Sequence, residues 1–369
     1  MRILWCLLVG LLAAIPAHSG EPLRYTGENS LYQDTVWEGE VLIDGILTVA
    51  PEATLEIRPG TVVRFTPYDS NGDGIGEHEI FIQGVFRALG TADAPILFTS
   101  AAPSPSPGDW GALNMMASEE DNLLEHCIVE YGYRGFHAHF ARAAIKTSRF
   151  RYNVRGAQFQ ESTVDISDSE VVDNLNGLQF RNSEVNLEGL VVARNHWGMR
   201  CVFSEVAMAG CRFEENLING VSLRDSSLVA RGNRVVGNRK GLYLQRSTGE
   251  VEGNDLSGNS EHGIFLEESD VRVSGNRIAD NGRAGIRWLD SSGALSGNLI
   301  QDNGIYALLN DGAGPVQAPG NWWGTTSAQE LRSMIRDGRQ RPGMGPVEIE
   351  PVLKEAPPFK VPPLPERKP

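Results

Sequence analysis

The chain has 369 residues, a formal net charge of −14, 41 glycines and 8% aromatic residues. That length fits one large domain or two smaller ones. The acidic balance excludes the basic field that nucleic-acid binding requires, and many glycines with few aromatics predict frequent turns around a slender core.

Residues 1–19 read as an export signal. Arg2 supplies a positive start and Ala17-His18-Ser19 a small-residue cleavage site. The apolar run from Ile3 to Ile15 is shorter than the ~20 residues a bilayer span needs, and no later segment approaches that length. The expected mature chain therefore has no membrane span and is periplasmic or secreted. Cys6 leaves with the signal, and Cys127, Cys201 and Cys211 remain. An odd number suits buried free thiols better than a disulfide framework, although a Cys201–Cys211 bridge stays open.

Residues 20–36 form a leader to which no structure is assigned. Residues 37–107 are expected to build N-terminal coils around a polar insertion near 67–79. Within the insertion, Asp69, Asn71 and Asp73 alternate, Gly74 follows, and Glu77 lies three residues on. Alternating oxygen donors ahead of a sharp turn resemble the first half of a calcium loop, which predicts calcium as a structural brace. The loop departs from that pattern at its twelfth position, which is Ile80 instead of a glutamate.

Residues 108–324 are governed by a repeat. Asn recurs at 153, 174, 195, 216, 238, 259, 281 and 303, always 21 or 22 residues apart. Gly keeps step at 135, 156, 177, 198, 220, 241, 263 and 285. A third series, Asn233, Asn254, Asn276, Asn298 and Asn321, has Gly before each member. Each period contains short alternating segments such as Gly177-Leu178-Gln179-Phe180 and Val185-Asn186-Leu187. Alternation is the strand period, and the unit has room for three short strands but no helix. Three strands per period make one coil of a stack, with each strand pairing in parallel with its counterpart ~4.8 Å along the axis. The predicted class is all-β: a right-handed parallel β-helix of 21–22 residues per coil with a short C-terminal capping helix. Asn and Gly are read as corner residues that tolerate left-handed backbone and stack along the axis.

Residues 325–350 form the expected cap. Ser327 to Arg336 reads as an amphipathic helix with Leu331 and Ile335 four apart. Residues 351–369 are a proline-rich tail expected to be extended and disordered.

Three stretches carry a family resemblance. They are Leu55-Glu56-Ile57-Arg58-Pro59-Gly60-Thr61 with its surroundings, Gly108-Asp109-Trp110-Gly111, and Asn321-Trp322-Trp323-Gly324. They resemble exported bacterial right-handed β-helix proteins of the pectate-lyase-like superfamily. That group includes pectate lyases, polygalacturonases, phage tailspikes and periplasmic β-helix proteins linked to copper delivery for nitrous oxide reductase. The resemblance implies the fold and leaves the function open.

The repeat also defines an outward face on the strand after each Gly. One row reads His137, Gln158, Gln179, Arg200, Ser222, Tyr243, Phe265 and Arg287. The next includes His139, Gln160, Arg181, Arg224, Gln245 and Glu267, and the residues before Gly add Arg134, Arg155, Trp197, Lys240 and His262. The expected ligand-binding residues are Arg181, Arg200, Arg224, Tyr243, Gln245, Phe265 and Arg287. Arginine forks suit carboxylates, and aromatic rings suit sugar faces. The resemblance implies the same face, because polysaccharide-acting relatives use it. The reading is a non-enzymatic protein binding a polysaccharide or an envelope partner. A lyase or hydrolase is one alternative, although the face lacks a pair of Asp residues for acid–base work. A copper-delivery factor is the other, with His137 and His139 as candidate ligands on one strand face.

Overall fold

The computed structural model describes residues 21–360. The predicted export signal and the last nine residues of the proline-rich tail lie outside them. The chain winds into a parallel β-solenoid of about 13 turns. One coil illustrates all of them: Asn176–Arg181 belongs to a long sheet, here called A, Glu184–Glu188 to sheet B, and Val191–Ala193 to sheet C. Each strand pairs in parallel with its equivalent one coil away, as in Leu178 opposite Met199 and Phe180 opposite Cys201.

Apolar side chains pile up inside the prism. Leu178, Leu242 and Ile264 lie in one inward column, each at most 2% exposed. Cys127, Cys201 and Cys211 are buried free thiols with no bridge between them. Burial raises the thiol pKa of all three, which keeps them inert.

The corners work differently from the sequence expectation. The repeated Asn residues do not themselves adopt left-handed backbone. The residue before each does: Asp173 (φ 57°), Arg194 (φ 55°) and Glu215 (φ 56°) precede Asn174, Asn195 and Asn216. The Asn then secures the corner. Asn195 Oδ1 accepts from the Asn174 amide (3.0 Å) and Asn174 Nδ2 (3.1 Å). Asn195 Nδ2 donates to the carbonyls of Val171 (2.9 Å) and Ala193 (3.1 Å) and to Asn216 Oδ1 (3.1 Å). The second Asn series does the same from Asn233 to Asn321. A serine ladder at the third corner was not read from the sequence. It runs from Ser162 to Ser291, each Oγ from Ser183 onward accepting the amide of the serine one coil earlier.

The Gly series is also not left-handed. Gly177 is fixed by close approach, because a Cβ there would sit 2.2 Å from the Gly198 carbonyl oxygen.

Both ends are closed. Leu23–Leu31, within the leader, pairs in parallel with Val41–Val49, and Tyr25 covers the buried Trp37. The helix is Ala328–Met334, capped by Ser327. It is shorter than the sequence pattern, because Ile335 and Arg336 leave it to pair with Leu308 and Leu309. The proline-rich segment starts bound to the last corner: Pro351 accepts from the Gly320 amide (2.6 Å), and the Leu353 amide donates to Asn321 (3.0 Å).

Asn195→Ala strands two amide hydrogens and two carbonyls in a dry corner. The expected loss is about 3 kcal/mol of stability, read as a lowered urea midpoint. A midpoint within error of the parent would contradict the ladder's role.

Candidate functional site

The three sheets present different electrostatic faces. From strand Gly132–His139 to strand Ala284–Leu289, sheet A turns seven cations outward: Arg134, Arg155, Arg181, Arg200, Arg224, Lys240 and Arg287. Only one carboxylate, Glu267, faces outward with them. Over the same coils sheet B shows seven carboxylates against four cations. Sheet C neutralises itself through pairs such as Arg149–Glu170 (2.7 Å), Arg151–Glu130 (2.8 Å) and Arg277–Asp255 (3.1 Å). Sheet A is therefore the basic face of an acidic chain.

The rows read from the sequence stand in register. His137, Gln158, Gln179, Arg200, Ser222, Tyr243, Phe265 and Arg287 are successive neighbours. Arg181, Arg200 and Arg224 are exposed. Phe265 does not offer a ring face. It is 6% exposed, Tyr243 stacks on it at 4.9 Å, and the Arg287 guanidinium lies 4.4 Å from its centroid. Like positions on adjacent coils meet face to face, so the neighbouring side chains cover the ring. Tyr243 donates its hydroxyl to Glu267 (2.5 Å), and Gln245 donates to the same carboxylate (3.2 Å). Burial, followed by that hydrogen bond, raises the Tyr243 pKa. Asp311 anchors Arg287 at 2.7 Å.

The other end of the face holds a relay that the sequence only partly revealed. Asn114 is the register partner of His137. Its Nδ2 lies 3.2 Å from both carboxylate oxygens of Glu79, and its Oδ1 lies 3.1 Å from His137 Nδ1. The carboxylate accepts the amide hydrogens, so Oδ1 faces the imidazole and Nδ1 carries the proton. His137 Nε2 is then the basic nitrogen, 3.0 Å from His139 Nε2. Burial, reinforced by Arg134, holds the His137 pKa down to about 3. Burial raises the Glu79 carboxyl and lowers His139. Asn114 and Glu79 escaped the repeat because the register shifts between Arg134 and Phe136, at the first member of the Gly series, and both residues lie before it.

The structure brings His137 and His139 together but gathers no third His, Cys, Asp or Glu around them among the described residues. In the 69–77 loop the oxygens turn to backbone. Asp69 accepts from Gly72 (2.7 Å) and Gly74 (2.9 Å), Asn71 from Asp73 (2.9 Å), and Asp73 from Ile75 (2.9 Å). Glu77 accepts from the Ser70 amide (3.0 Å) and its hydroxyl. The amide bonds, that from Gly74 first, lower the Asp69 pKa.

Residues 146–339 match the family model described as periplasmic copper-binding protein (NosD), and residues 30–162 match the pectate-lyase-like beta helix domain. No curated protein is a match. Among solved structures, the periplasmic alginate epimerase AlgG is 15% identical, covering 67% of this chain and 72% of its own, with a TM-score of 0.43. The Agl-KA catalytic domain is 12% identical over 81% of this chain and 63% of its own, at 0.45. The A-module of the Azotobacter vinelandii mannuronan C-5 epimerase AlgE6 is 15% identical over 83% and 82%, at 0.39.

Folding keeps His137 neutral down to about pH 3, below its ordinary 6.5. The unfolded chain thus binds more protons between those values, so stability falls as pH drops from 6.5 towards 3. His137→Gln, which repeats the residue of the next two coils, should flatten the melting temperature across that window. An unchanged pH profile would contradict a buried neutral ring.

Proposed function

Because the chain belongs to the periplasmic copper-binding protein (NosD) family, with its pectate-lyase-like β-helix, we propose an exported, periplasmic protein that binds an extended acidic polysaccharide along sheet A without cleaving it. One observation carries this reading: from strand Gly132–His139 to strand Ala284–Leu289 an acidic chain concentrates seven outward cations and a single carboxylate on one flat face. The rungs repeat every ~4.8 Å, close to the length of one pyranose unit, so a linear chain of sugars meets one rung per residue. From Arg134 to Ala284 the row advances seven rungs, about 34 Å. Arg181 and Arg200, on neighbouring coils, form no ion pair among the described residues and are free to fork onto carboxylates.

A second reading follows from the family and from the histidine pair. His137 and His139 would hold copper as cargo through their Nε2 atoms, 3.0 Å apart. Asn114 and Glu79 fix the His137 tautomer that leaves Nε2 free, as outer partners do around metal-bound imidazoles. The positive charge of Arg134, which also lowers the His137 pKa, works against a cation there and places this reading second.

On a polyuronate column, Arg181→Ala combined with Arg200→Ala should weaken retention severalfold, with a shallower dependence on salt. Retention equal to the parent would remove the polysaccharide reading, and growing absorbance from unsaturated uronates would replace it with a lyase. In a copper titration the second reading expects one ion per chain, lost in His139→Ala. Absence of uptake by the parent would end it.

A further inference from the structure

Two arginines near the start of the cation row on sheet A are held close together with no ion-pair partner among the described residues. Arg134 and Arg155 are register partners on adjacent coils. Both guanidinium groups sit against the ring of Tyr133, at 5.0 and 5.3 Å from its centroid. Arg155 is steadied further by Gln158, whose side-chain oxygen accepts from Nη1 at 2.7 Å. Arg134 Nε is buried with no hydrogen-bond partner. Among the described residues neither arginine has a carboxylate within ion-pair distance. Glu79, on the same face, hydrogen-bonds Asn114 and acts on Arg134 only from beyond ion-pair distance.

Like charges one rung apart repel, and an unpaired buried N–H is costly to keep. The repulsion falls when one anion sits between the two guanidinium groups. The shift on Arg134 agrees with this, since burial first and then the charge of Arg155 lower its pKa. Sheet C supplies the contrast: there Arg149 and Arg151, on one strand, meet Glu170 of the next coil and Glu130 of the previous one directly.

We infer that Arg134 and Arg155, braced by Tyr133 and Gln158, form a discrete clamp for one oxyanion of the ligand, a uronate carboxylate or a sulfate ester. The inference rests on the polyanion reading and sharpens it. One charged group is gripped bidentately at this end of the face, and the remaining cations only guide the chain.

Calorimetry with trigalacturonate and its methyl ester tests the clamp. Arg155→Met should weaken the acid about tenfold and leave the ester unchanged, and Arg155→Lys should not restore the loss, because an ammonium lacks the fork. Arg200→Met should cost under threefold. Equal losses in Arg155→Met and Arg200→Met would overturn the clamp while leaving the polyanion reading in place. Should the parent bind neither probe, the polyanion reading fails, and the clamp is judged separately by titrating sodium sulfate against the Arg134 Nε–H resonance. A saturable shift that is absent in Arg155→Met supports it, and no shift overturns it.

Discussion

The asparagine ladder is the constraint on which the rest depends. Each side chain accepts a backbone amide and a side-chain amide from the coil before it, and donates to that corner's carbonyls and to the next asparagine. A corner held this way has no freedom to slip by one residue, because a slip would strand several buried polar groups at once. Register is thus fixed once per turn, and the cores and faces of successive coils are forced into line.

Alignment in turn decides what the surface can do. Any residue type repeated at one position becomes a column along the axis. In sheet C, columns of opposite charge neutralise each other. In sheet A, the cations have few such partners, and their field points outward. The same stacking consumes aromatic faces: Phe265 lies between Tyr243 and Arg287 instead of facing solvent. The ligand proposed for this face would meet charge and hydrogen bonds more than surfaces for sugar stacking.

The histidine relay shows how an irregularity concentrates chemistry. At the shift between Arg134 and Phe136 the sheet bulges. There the chain sets a buried carboxyl, an amide and two imidazoles in sequence, beside two arginines gathered on Tyr133. Bulges of this kind re-aim side chains and often lie beside functional sites. The copper suggested by the family and the anion suggested by the arginines meet in this one region.

By itself the sequence determined the solenoid, its period, the inward columns and the outward rows, because a spacing of 21 or 22 residues is recorded directly in Asn, Gly and alternating apolar positions. Only the tertiary structure decided what those residues do at each place. Left-handed backbone fell to the residue before each Asn, since the Asn side chain must turn inward to bridge coils. The serine ladder stayed unread because serine is common enough at turns that its spacing did not stand out. Glu79 and Asn114 joined the site across a shifted register that periodicity cannot follow. The lack of an ion-paired carboxylate on Arg134 and Arg155 among the described residues is a fact of neighbours across coils, and neighbours across coils exist only once the chain has wound.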